Sequence, residues 1–222
     1  MPYTLRLLIS NKLYHSLLLL FIIYMVGIVS VLLGYADALM KLTPFNLIFA
    51  SALILYNAVR IDRVYVLWFL VVGIAGFLVE WLGIETGMIF GDYYYGDGLG
   101  WKLLDVPLII GVNWAVLVFA SSAITNGFRW PVWLKSAFGA ALMVSYDIFL
   151  EPVAVRFDFW TWENGLIPLQ NYLAWWIIAF IMLLGVNSFV RNKTNQLALP
   201  VLITQSIFFI VVILKESLVV FN

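Results

Sequence analysis

Cysteine is absent from these 222 residues, and histidine occurs once, at His15. Without thiols there are no disulfides, no thiol nucleophile and no iron–sulfur ligation, and the redox compartment cannot be read from the chain. A single histidine with no cysteine also leaves zinc, haem and copper sites of the usual ligand sets unbuildable. Charge is scarce. Asp, Glu, Lys and Arg make up 11% of the chain and sum to a formal net charge of zero, so there is no basic surface for nucleic acid. What fills the sequence is apolar: 64% of residues, with a mean hydropathy of +1.03, which marks an integral membrane protein.

Measured against the roughly 20 residues needed to cross a bilayer, the apolar runs predict an all-α polytopic transmembrane helix bundle of about seven spans. They fall near 15 to 35, 43 to 60, 64 to 83, 107 to 126, 132 to 150, 170 to 190 and 197 to 220. Residues 1–222 read as a single integral membrane domain. Arg6, Lys12 and Ala36-Asp37-Ala38 imitate a signal peptide around the first run. That run, from Leu17 to Leu33, exceeds the roughly 7 to 15 residues of a signal h-region, so no cleavage is expected. With the N-terminus cytoplasmic, Arg6, Lys12, Arg60, Arg63, Arg129, Lys135, Arg191 and Lys193 lie inside. Only Lys41, Lys102, Arg156 and Lys215 lie opposite, in keeping with the positive-inside rule.

Nine of the twelve acidic residues sit in two stretches, Glu80 to Asp105 and Asp147 to Glu163, both placed on the extracytoplasmic side by this orientation. The connections there are expected to be loops of about 20 residues, long for a helix bundle and rich in Tyr and Trp. On the span after Pro131, steps of three and four put Ser136, Gly139, Ala140, Met143, Asp147 and Glu151 on one face. Gly73, Gly76 and Glu80 share a similar seam. Small residues mark the packed side of a membrane helix, so all three carboxyls are expected to face protein, with Asn113 and Asn171 at a similar depth. Carboxyls are costly in such a place and are commonly there for chemistry. Two of them in different surroundings can supply a general acid and a general base at neutral pH. Asp92, Asp97, Asp105, Asp158 and Glu163 read instead as solvated loop charges.

A motif set spanning about residues 80–176 resembles the membrane-embedded carotenoid 1,2-hydratases of the CruF type. One block is Glu80-Trp81-Leu82-Gly83, Tyr93, Tyr95, Val106-Pro107 and Asn113-Trp114; the other is Asp147, Glu151-Pro152, Trp160, Trp162, Pro168 and Asn171-Tyr172. The resemblance implies a hydro-lyase that adds water across the terminal double bond of an acyclic carotenoid end and gives a tertiary alcohol, with no cofactor and no metal. Asp147 and Glu80 are the expected acid and base, in an order left open, with Glu151 as the third member. Tyr93, Tyr95, Trp160 and Trp162 would line the pocket of the carbocation, with Trp114 beside them, while Asn113 and Asn171 would hold water or the carboxyls. The expected partners are a lipophilic carotenoid and membrane lipid, with a second copy of the chain or other carotenoid enzymes as protein partners. The expected location is the cytoplasmic membrane of a prokaryote. The same acidic cluster also suits a membrane transporter, or an intramembrane prenyltransferase in which Asp147 and Glu151 hold magnesium and diphosphate.

Overall fold

The computed structural model describes the backbone of residues 3–220 and the side chains of residues 11–218, so the Arg6 charge lies outside the described side chains. The chain is an integral membrane protein built as an all-α polytopic bundle. Among the described residues, six helices are long and apolar enough to cross a membrane. They are α1 (Tyr3–Leu32), α4 (Arg63–Thr86), α5 (Leu108–Thr125), α6 (Val132–Arg156), α7 (Leu169–Phe189) and α8 (Ala198–Val220), joined by a short α2 (Ala36–Met40) and by α3 (Thr43–Asn57). The helix α3 runs antiparallel to α1, with Asn57 Nδ2 donating to Ser16 Oγ at 2.8 Å near one end and Asn46 Nδ2 to Tyr24 Oη at 2.9 Å near the other. Its 15 residues rise only about 22 Å at 1.5 Å each. It is too short to count with the six, so the seventh expected span is only a shorter apolar helix, ending before the expected residue 60 because Ala58 turns extended.

Local chemistry fixes where the helices begin and stop. Asp62 caps α4 by accepting from Tyr65 N at 2.9 Å and from Asn192 Nδ2 at 3.2 Å. Those two donors, the backbone one first, hold the Asp62 carboxyl below its ordinary value. At the other end Gly87 takes φ +62°, the left-handed C-cap conformation that favours glycine. Pro107 and Pro168 precede α5 and α7 as extended N-cap residues. The helix α6 continues past the expected residue 150 through Pro152 to Arg156. Its missing N–H leaves the Ile148 carbonyl without an intrahelical donor.

The two acidic connections lie at one end of the bundle, and they are not the long structureless loops expected. The second shortens to residues 157–168, and each contributes a strand. Strand β1 (Tyr93–Tyr95) pairs antiparallel with β4 (Trp160–Trp162), Tyr93 opposite Trp162 and Tyr95 opposite Trp160. A small hairpin of β2 (Lys102–Leu103) and β3 (Val106–Pro107) follows β1. Because side chains alternate along a strand, the β1–β4 ribbon turns Tyr93, Tyr95, Trp160 and Trp162 inward and leaves Tyr94 exposed. The five loop acids are all exposed, as expected.

Beneath the ribbon, α4 and α5 approach closely. A Cβ on Gly111 would stand 2.7 Å from the Gly73 carbonyl oxygen, and one on Gly76 would stand 2.5 Å from Trp114 Cβ. Only glycine lets the Trp114 ring reach the seam that carries Glu80.

Candidate active site

Glu80 lies one helical turn from Gly76, in the gap that the glycine seam keeps open. Its Oε1 accepts from Trp114 Nε1 at 2.8 Å, and its Oε2 accepts from Tyr93 Oη at 2.5 Å and Tyr95 Oη at 2.9 Å. Three donors, from α5 and from the ribbon, therefore converge on one buried carboxyl. Burial pushes both phenols above their ordinary value, and the neighbouring Glu80 charge adds to the shift, so Tyr93 and Tyr95 stay protonated and act as donors.

One turn apart on α6, Asp147 and Glu151 face α7 and the ribbon. Glu151 Oε2 accepts from Trp160 Nε1 at 2.9 Å and Trp162 Nε1 at 3.0 Å, and its Oε1 accepts from Asn171 Nδ2 at 3.0 Å. Asp147 has far less support. Its Oδ2 shares the Asn171 amide at 3.1 Å, while its buried Oδ1 has no partner among the described residues. The three carboxyls thus divide into two that each accept from three donors and one left with a bare oxygen.

Glu80, Glu151 and Asn171 border a cavity of about 30 Å³, whose remaining wall includes Tyr93, Tyr95, Trp114, Trp160 and Trp162. That is about one water's share of liquid volume. Asn113 stands in this wall and in that of an adjoining cavity, with no hydrogen bond to its amide among the described residues. Asp147 is not in the wall. It lies one layer deeper, reached through Asn171.

A family profile described as carotenoid biosynthesis protein matches residues 17–221. The chain belongs to that family. The chain is 32% identical over 107 residues to a curated protein of Haloarcula japonica, the bisanhydrobacterioruberin hydratase. The matched stretch is 44% of this chain and 36% of that protein, so the chain spans little more than a third of its relative's length. No solved structure matches it.

Four wall residues were not among the expected site residues: Ile110 and Leu150, and two aromatics, Phe90 and Trp175. Phe90 is buried against Gly83 and meets the Tyr93 ring edge-on at 6.1 Å. Trp175 stacks on Trp114 with centroids 4.3 Å apart. A signal for the second existed: Pro107-Leu108 followed by Asn113-Trp114 echoes Pro168-Leu169 followed by Asn171 and Trp175, and the two tryptophans of the echo are the ones that stack.

Proposed function

We propose that this protein adds water across the terminal double bond of an acyclic carotenoid end group, giving a tertiary alcohol. The observation that carries the reading is the unequal support of three buried carboxyls around a water-sized cavity walled by indole and phenol rings. Membership in a carotenoid biosynthesis family and similarity to a carotenoid hydratase agree with it.

An isolated alkene is a very weak base, so the first step needs a positioned acid. Asp147 is that acid, because Oδ1 is free of donors and can carry a proton itself. The proton goes to the less substituted alkene carbon as the π pair forms the new C–H bond, which leaves a tertiary cation at the gem-dimethyl carbon. Aromatic faces of the ribbon and of Trp114 stabilise that cation without supplying a nucleophile. Water in the cavity then forms the C–O bond and gives up a proton to a carboxylate. Glu80 fills this role: three N–H and O–H donors hold its charge, and Oε1, with one donor, keeps an acceptor position for the water. Glu151, equally well supplied, holds the neighbouring negative charge and shares Asn171 with the acid. One proton is given and one is taken, so the cluster ends with its proton count unchanged. An end group is larger than the cavity, so it enters only as side chains between the cavity and Asp147 shift.

A diphosphate substrate is less well served, since no Lys or Arg lines this cavity. The orientation that fits best puts Lys12, Arg60, Arg63, Arg129, Lys135 and Arg191 at the cytoplasmic face and the ribbon outside, in a prokaryotic cytoplasmic membrane. The test is expression in a bacterium that accumulates lycopene or a monocyclic carotene, with pigments separated by chromatography and weighed by mass spectrometry. A more polar pigment heavier by one water is expected. Unchanged pigments from membranes that hold the protein would overturn the reading.

A further inference from the structure

The carboxyl centre can hold a water, but it has no room for the rest of a long ligand. Two further hollows lie beside it. A middle cavity of about 50 Å³ shares Ile110, Asn113, Leu150 and Trp160 with the centre. Beyond it, a groove of about 440 Å³ between α1, α2 and α3 shares Tyr24, Met40, Thr43, Asn46 and Phe208 with the middle cavity. Only the groove has the size typical of an organic ligand site, about 300 to 1,000 Å³. Its walls carry no charged residue, and its rim residues Ile22, Val26 and Phe45 are 47%, 58% and 69% exposed on the outer face of the bundle, where lipid lies.

From this continuity we infer that the α1–α2–α3 groove is the lateral entrance and binding groove for the unreacted length of an isoprenoid chain. The inference rests on the hydratase reading for the identity of the chain's reacting end. The occupant has to be long, apolar and uncharged, because the groove offers no group to neutralise a charge and opens to lipid rather than to water. The Asn46–Tyr24 hydrogen bond joins α3 to α1 where the groove and the middle cavity share their walls. Its amide is only half satisfied: Asn46 Oδ1 is buried without a partner. A buried acceptor without a donor weakens the closed arrangement. The contact is therefore weakly held at the junction between the two hollows.

A second groove, about 230 Å³ between α5, α6 and α8, supplies the comparison. It shares Tyr146 alone with the middle cavity, so it is the poorer route.

The test fills each groove in turn. Val26→Trp and Thr43→Trp fill the α1–α2–α3 groove, and Ile203→Trp fills the other; each is made in the full chain, alone and with Asp147→Asn. All are expressed in cells accumulating lycopene. The Asp147→Asn forms report bound pigment by visible absorbance of the purified protein, and the others report hydrated product. Val26→Trp and Thr43→Trp are expected to lower both readouts by about tenfold or more, the scale of a steric clash in a packed site. Ile203→Trp is expected to leave both unchanged. If Thr43→Trp fails to accumulate, Val26→Trp, on the lipid-facing rim, decides alone.

Pigment or product at full level in the groove-filled variants, or lost in Ile203→Trp instead, overturns the groove and leaves the hydratase reading standing. Pigment bound in a groove-dependent way with no hydrated product supports the groove and overturns the hydratase reading. Neither pigment nor product from the unmodified protein overturns both.

Discussion

At the end of the bundle away from the ribbon, Ser122 Oγ donates to Asn187 Oδ1 at 2.8 Å, Asn187 Nδ2 to Ser136 Oγ at 3.0 Å, and Ser136 Oγ to the Val132 carbonyl at 2.9 Å. Lys193 Nζ adds bonds to the Asn187 and Val190 carbonyls, capping the C-terminus of α7. Burial pushes the Lys193 ammonium below its ordinary value, and the charge of Lys135 adds to the effect. At the ribbon end the buried polar groups are carboxyls, two of them crowded with donors and a third with a bare oxygen. Both clusters join α5, α6 and α7. Apart from Lys193 and the unpartnered Ser121 hydroxyl, the first pairs neutral side chains with one another. The second concentrates charge beside an aromatic cavity and leaves one acid unsupported. Burial of polar side chains thus marks packing in one place and the means for chemistry in the other, and the surplus of unpaired capacity separates them.

The comparison breaks most visibly at the carboxyls. Asp147→Asn and Glu80→Gln should each lower hydration by about 10² to 10⁴, the usual worth of a general acid or base, with the protein still folded and inserted. Pigment conversion per unit of purified protein, read beside a thermal melt, checks this. Trp162→Phe keeps the ring but deletes one donor to Glu151. A hydrogen bond to a charged group is worth about 1.5 to 3 kcal/mol, so turnover should fall by about ten- to a hundredfold. Asn187→Ala reverses the pattern. It should destabilise the fold by about 1 to 3 kcal/mol, because Ser122 and Ser136 lose their partner, and leave turnover per folded molecule unchanged. Loss of turnover with stability intact would erase the distinction between the two clusters.

The smallest effect concerns pH. Tyr93 and Tyr95 hold their protons in the folded state beyond the point, about pH 10, at which an unfolded chain releases them. Their contribution to stability is therefore complete below about pH 10 and lost as pH rises toward the folded-state values. A denaturation midpoint that is level to about pH 9 and falls above about 10, less steeply in Tyr93→Phe with Tyr95→Phe, is the expected result.

Much of this arrangement was legible in the order of residues. Helix–helix packing in a membrane depends on small residues at steps of three and four, so Gly73, Gly76 and Glu80 could be placed on one seam, and the Trp114 contact with Gly76 shows why. The ribbon was harder to see, because β1 and β4 are far apart in sequence and nothing local announces their pairing. A partial sign was there: Tyr93-Tyr94-Tyr95 and Trp160-Thr161-Trp162 each set two aromatics at the strand period of two. The helix α6 ends beyond the expected residue 150, since proline near a helix end forfeits a single backbone bond and the helix runs on to Arg156. The divided support of the carboxyls lay beyond reach, since it depends on which donors α5, α7 and the ribbon deliver to each oxygen.

The most direct test of the central claim is to run the conversion in deuterium oxide, and separately in water labelled with heavy oxygen, and to analyse the product by mass spectrometry and NMR. Protonation by a carboxylic acid followed by attack of water predicts one carbon-bound deuterium next to the alcohol carbon and one heavy oxygen in the hydroxyl for each hydrated end. A product whose oxygen does not come from water, or which carries no deuterium on carbon, would contradict acid-initiated hydration at the Asp147–Glu80 centre.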